Sequence, residues 1–381
     1  MYTCICPILL FILLSACTSA PVVNNIPADL NDKISGADIL GYPVLDAELP
    51  DNDLFGLTPE MKQFAEDAVK SGSNSVLRSE LLHKALISPA IIGGLGVSYS
   101  AFTTGTAREV FESTSANCLG YTLLYVALAR HVGLNAQVNQ VMIPPTWDMN
   151  SDSSYFLIRH VNAKVAIRKV RWQLVRERSS IADVSDVIVD LEIRRFRPTY
   201  AQKILDMQSV EALFYNNRAM EYASIGDDKN AFIYLRRALK AKPDESSIWS
   251  NMGSFYRRSG KVVVAESLYK HALSLEANNP TVLSNLAALY QQTGDLVEAE
   301  NYRKRVQHYR DSNPYYLYQK ATRAKEDGDI PGAISFINRA LKKETKDDRL
   351  YLLASELYSL SGDADRARKL RKKSEALLKE I

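Results

Sequence analysis

Histidine, cysteine and tryptophan are scarce in this chain: its 381 residues include 5, 4 and 3 of them. So few chemistry-bearing side chains can be weighed one at a time. No CxxC pair, no HExxH and no phosphate-binding glycine loop is present, and Gly94-Leu95-Gly96 reads only as a turn, so neither a metal nor a cofactor is expected. Charge is nearly balanced, at a formal +3, too mild and dispersed for nucleic-acid binding. The basic runs Arg168 to Arg178 and Lys369 to Lys373 read as solvated faces. The apolar stretch at the start, Ile8 to Leu14, falls well short of the roughly 20 residues that cross a bilayer.

That stretch runs into Leu14-Ser15-Ala16-Cys17, which resembles the lipobox of bacterial lipoprotein precursors. The resemblance implies a signal peptide over 1–16 and a lipidated Cys17, although the first residues lack the usual Lys or Arg. Thr18 is not the Asp associated with inner-membrane retention, so an outer-membrane anchor facing the periplasm is expected. From 17 to 53 the chain is polar and carries Pro21, Pro27, Pro43 and Pro50, which reads as a flexible tether with ends about 35 Å apart. Cys4 and Cys6 would leave with the signal, and Cys118 would be the only free thiol of the mature chain. An unpaired thiol in an oxidising compartment is a candidate nucleophile.

Cys118 opens the stretch NCLGYTLLYVALARHVG, in which apolar residues at 3–4 spacing predict a helix from Asn117 to Gly133. Ser115 or Asn117 can cap its start and Gly133 its end. A thiol there meets unpaired backbone N–H groups and the positive end of the helix dipole, which favour the reactive thiolate. The bland alternative is a small buried hydrophobe. Upstream, Thr58-Pro59-Glu60 predicts a helix ending at Gly72, a second helix spans about Ser75 to Ile87, and Thr106 to Glu109 has capping-box spacing. Downstream, strands are expected over Ala136 to Ile143, Tyr155 to Ile167 and Val187 to Leu191, with Pro144-Pro145 closing the first. The second carries His160 and the third Asp190, an acid costly to bury unless it pairs. His131 lies about 20 Å from Cys118 along the same helix and is out of reach. His83 reads as a surface or packing residue, Asp183 and Asp186 as loop residues, and Trp147 as a cleft roof or a core residue.

Cysteine at a helix start, then histidine and aspartate on successive strands, resembles the transglutaminase-like superfamily. TGTAREVF, NCLGYTLLYVALARHVGL, PPTW, RHVNAKV and VIVDLE resemble a bacterial lipoprotein branch of it, over about Leu57 to Pro198. The resemblance implies an α+β domain over 54–205, with Cys118 as nucleophile, His160 as base and Asp190 as the group that orients the imidazole. The backbone N–H of Cys118 would serve as one oxyanion donor.

From residue 212 the chain repeats. Gly226, Gly260, Gly294, Gly328 and Gly362 recur every 34 residues, as do Ala231, Ala265, Ala299, Ala333 and Ala367. This is the tetratricopeptide period, predicting five two-helix units over 212–245, 246–279, 280–313, 314–347 and 348–381, stacked as an all-α superhelix. Family resemblance would turn Asn216, Met220, Ser250, Ser254, Arg257, Ser284, Gln291, Tyr315, Tyr318 and Lys325 into a groove for a protein or peptide. The expected protein is thus a lipid-anchored cysteine hydrolase or acyl transferase acting on an amide, with a helical arm that recruits a partner. A scaffold with an idle thiol is the rival expectation.

Overall fold

The computed structural model describes residues 26–147, 155–156, 159–170, 182–191, 197 and 200–379. The signal region, Cys17 and the basic residues 171–178 lie outside them. Among the described residues no helix is long and apolar enough to cross a membrane.

Residues 26–53 depart from the expected tether. Helices α1 (Ala28–Lys33) and α2 (Ala37–Leu40) form there, and Leu30, Ile34 and Val44 are buried in the main core. Arg236 donates to the carbonyls of Ser35 (2.9 Å) and Val44 (2.6 Å), the Tyr256 hydroxyl donates to Lys33 O (2.8 Å), and Asn52 N donates to the Tyr215 hydroxyl (2.9 Å). Leu30 and Ile34, one helical turn apart, bury an apolar stripe that the prolines around it conceal. At Gly36, φ is +100° and an added Cβ would stand 2.8 Å from the Phe232 ring, so only glycine lets the segment lie this close.

The next helices start as their caps dictate. Thr58 Oγ1 accepts from Met61 N (3.2 Å) ahead of α3 (Pro59–Val69), and Asn74 Oδ1 from Leu77 N (2.9 Å) ahead of α4 (Ser75–Ile87). Two short parallel strands, β1 (Ser98–Tyr99) and β2 (Ser115–Ala116), flank α5 (Ala107–Ser113), where Thr106 and Glu109 complete a capping box. Then comes α6 (Cys118–His131), buried from Leu119 to Ala129. A helix that is apolar all round belongs inside, and α6 packs against α3, α4, α5 and a sheet.

That sheet has four antiparallel strands, with β3 (Ala136–Met142) and β6 (Arg159–Val170) in the middle and β7 (Ala182–Val189) and β8 (Gln202–Ile204) at the edges. A separate pair, β4 (Thr146–Trp147) and β5 (Tyr155–Phe156), follows Pro144-Pro145. Two expectations need correcting. Asp190 sits just past the end of β7 rather than within a strand, and Asp183 and Asp186 lie on β7 rather than in a loop. The Val187–Leu191 run overlaps only the last three residues of a longer strand that begins at Ala182.

Ten helices complete the chain: α7 (Met207–Ser224), α8 (Asp228–Ala241), α9 (Ser246–Arg258), α10 (Val262–Leu275), α11 (Pro280–Thr293), α12 (Leu296–Ser312), α13 (Pro314–Glu326), α14 (Ile330–Leu341), α15 (Asp348–Leu360) and α16 (Ala364–Lys379). The five periodic glycines have φ between 75° and 88°, the left-handed conformation that turns each first helix into its second. The stack is not uniform. One apolar core runs from Leu30 through the sheet domain and the repeats to Ala299, and a second, separate one spans Leu317 to Leu357. The first repeats are therefore part of the same folded body as the α+β region, not an arm held apart from it.

Candidate thiol site and repeat groove

Cys118 occupies the first turn of α6 and is partly exposed. Asn117 sets it there. Its Oδ1 accepts from Gly120 N (2.9 Å), capping the helix, while its Nδ2 donates to Thr104 Oγ1 (2.6 Å). Gly120 lets the helix start press onto the preceding loop, since a Cβ there would lie 3.1 Å from Gly105 N. The loop is clamped from the repeat side: Thr104 N donates to Glu221 Oε1 (2.8 Å) and Arg218 Nη1 to Thr104 O (3.2 Å), both partners on α7. The position of the cysteine thus depends on a repeat helix.

His160 projects from β6 opposite Val141 and is buried, as is Asp190. Nε2 of His160 lies 2.5 Å from Oδ2 of Asp190, and Cys118 is near enough for its side chain to act on the ring's protonation. Burial alone would lower the imidazole pKa; the hydrogen bonds and negative charge of Asp190 and Cys118 outweigh it and raise the value to about 10. The three residues named from sequence therefore meet.

Sequence reading missed what stands behind them. Asn162 Nδ2 reaches Asp190 Oδ2 at 3.4 Å, and Asn139 Nδ2 donates to Asn162 Oδ1 (2.8 Å) and Gln202 Oε1 (3.1 Å), so three strands contribute amides to one buried row. Asn162 and His160 share a strand face at i and i+2, a signal available in RHVNAKV. Of the two roles expected for His83 the structure shows packing: its Nδ1 lies 2.6 Å from the Tyr121 hydroxyl, and burial lowers its pKa against the pull of Asp190. His131 pairs with Glu66 at 2.9 Å, away from the thiol. Asp186 pairs with Lys164 at 2.7 Å. Among the described residues no group of three or more histidine, cysteine or acidic side chains is placed to hold a metal.

A cavity of about 330 Å³ opens beside Cys118. One wall is Leu119 and Val161; the other comes from the repeats and includes Asn216, Ser250, Asn251 and Asn279. Asn251 Nδ2 donates to Asn216 Oδ1 (2.8 Å) and Asn285 Nδ2 to Ser250 Oγ (3.1 Å), which fixes this amide-rich wall.

The rest of the expected groove divides. Ser254 shares hydrogen bonds with the Tyr269 hydroxyl (3.0 Å) and Asn285 (3.3 Å). Arg257 reaches Gln292 at 3.5 Å. Ser284 and Gln291 line a separate cavity of about 520 Å³, and Tyr315 another of about 560 Å³ with Pro144, Pro145 and Tyr200. Tyr318 packs against the second core, and Lys325 pairs with Glu356 at 2.6 Å.

Residues 212–245 and 256–321 match two tetratricopeptide-repeat families, and the chain carries such repeats. No curated protein matches it. Solved structures similar to it include MamA 41-end from Desulfovibrio magneticus RS-1, 15% identical, covering 45% of this chain and 96% of that one with a TM-score of 0.25. MamA MSR-1 C2 is 18% identical over 45% of this chain and 98% of its own, with a TM-score of 0.24. YrrB, described as a TPR protein with an unusual peptide-binding site, is 16% identical over 44% of this chain and 86% of its own, with a TM-score of 0.25.

Proposed function

We propose that this chain is a polypeptide-binding repeat protein whose first repeats present substrate to a cysteine acyl-transfer site of the transglutaminase-like kind. The observation that carries it is the single imidazole hydrogen-bonded to Asp190 with the Cys118 side chain close enough to act on it. With Nε2 facing the carboxylate, Nδ1 is the nitrogen left to take the thiol proton. The Cys118 sulfur would attack an amide carbonyl, with the backbone N–H of Cys118 donating to the oxyanion. Collapse to the thioester breaks the C–N bond as the imidazolium protonates the leaving amine. Water or a second amine then releases the acyl group and regenerates the thiol. The amide-rich wall of Asn216 and Asn251 suits a peptide backbone, whose N–H and C=O groups it can pair. A lipid on Cys17 would hold this chemistry at the outer membrane, facing the periplasm.

A second reading has its own support. Both matched families are repeat families, which favours a protein-binding scaffold whose thiol stays idle. Acylation by p-nitrophenyl acetate separates the two. Wild-type protein should release one equivalent of nitrophenolate in a burst, Cys118→Ala none, and His160→Gln should be slower by about 10²–10⁴-fold, the usual contribution of a general base. A wild-type burst no faster than that of His160→Gln leaves the scaffold.

A further inference from the structure

The interruption of the repeat stack leaves a charged slot that no described residue fills. In the second helices of repeats one, two and four, two inward positions are apolar: Leu235 and Leu239, Tyr269 and Leu273, Ile337 and Leu341. The same positions in α12 are Arg303 and Gln307, both exposed. Charge and amide in place of two apolar side chains give the following helix no surface to bury. Accordingly, α11 packs on α9 and α10 and α15 on α13 and α14, whereas α13 meets α12 and β4 and starts a core of its own. The slot left on repeat three is the cavity of about 520 Å³, with Ala287 and Ala288 on its floor.

Arg310 decides what belongs there. It lines the slot, is 4% exposed, has no hydrogen-bond acceptor for its Nε, and makes no ion pair with any described residue. A buried guanidinium without a counter-charge is costly, and partnering it recovers that cost. Lys304 adds a second cation at the rim, while Arg303 is already engaged by Glu300 (3.3 Å) and Gln291. We propose that the slot on α11 and α12 binds an acidic amphipathic helix of a partner protein, its apolar stripe on Ala287 and Ala288 and its carboxylates on Arg310 and Lys304. The helical form follows from the vacancy, which lies where the first helix of a next repeat would stack. The proposal rests on the polypeptide-binding reading of the repeats and gives it one place and one ligand chemistry.

Two fluorescein-labelled helical peptides with the same leucine stripe, one bearing glutamates and the other glutamines, test it by anisotropy on the full chain. The glutamate peptide should bind at least about tenfold more tightly, a difference near 1.4 kcal/mol. The preference should vanish in Arg310→Met and fall in Lys304→Gln, but persist in Lys372→Gln/Lys373→Gln, which removes exposed charge elsewhere. Arg310→Met should also melt no lower than wild type, since it removes an unpaired buried charge, and Lys304→Gln reads the slot without touching the interior. Equal binding of the two peptides overturns the acidic ligand while leaving polypeptide binding standing. Binding of neither overturns both. A preference lost equally in the Lys372/Lys373 variant marks nonspecific attraction and overturns the slot.

Discussion

Oδ2 of Asp190 lies 2.5 Å from Nε2 of His160, joining a residue just beyond the end of one strand to the start of its neighbour. Strand pairing explains how. Val189 pairs with Ala163, so the chain leaving β7 passes alongside the β6 segment that carries His160 and Asn162. The carboxylate is buried, and the histidine and Asn162 are what make its burial tolerable.

Removing that carboxylate should cost more than removing an exposed one. Asp190→Ala leaves a buried imidazolium without its partner and should destabilise by about 3–5 kcal/mol. Asp186→Ala breaks a part-exposed pair with Lys164 and should cost about 0–1 kcal/mol. Urea midpoints at neutral pH measure both. In the acylation assay Asp190→Asn should retain a weak burst.

The raised pKa of His160 links the site to pH. The folded value of about 10 lies above the ordinary 6.5, so the stability from the protonated ring is complete below about pH 6.5 and is lost as pH rises towards 10. The gap in melting temperature between wild type and His160→Gln should be widest near pH 6 and close by pH 10. A gap that widens with pH would mean the ring is neutral in the folded protein.

Coupling between repeat and thiol runs through Thr104. Asn117→Ala removes a helix cap and should cost about 0.5–2 kcal/mol. Combined with Glu221→Ala, it should show a non-additive term of about 0.5–3 kcal/mol, because both hold the same loop residue. A double-mutant cycle in denaturant measures it; strict additivity would uncouple the repeat from the cysteine.

The N-terminal segment should behave as core. Ile34→Ala empties a fully buried site and should destabilise by about 2–5 kcal/mol. Leu45, 63% exposed, should change stability by less than about 0.5 kcal/mol when replaced by alanine.

Local signals decided the helices and the repeats. Thr58, Thr106 and Asn117 supply side-chain oxygens within three residues of the N–H groups they cap, and the periodic glycines take a conformation other residues resist. The same locality put Cys118 at a helix start, and the order Cys118, His160, Asp190 was legible once helix and strands were in place. What contacts between distant residues create was not legible. The segment around Leu30 and Ile34 looks like a tether until Arg236 and Tyr256 hold its backbone at Ser35 and Lys33, and which of two roles His83 takes is decided only when Tyr121 reaches it. Arg303 and Gln307 stood in the sequence as a break in pattern, but that the stack opens there, and that Arg310 is buried beside the gap, depended on where α13 found apolar surface to cover. Capping and turning are settled within a few residues; burial is settled by whatever the rest of the chain brings alongside.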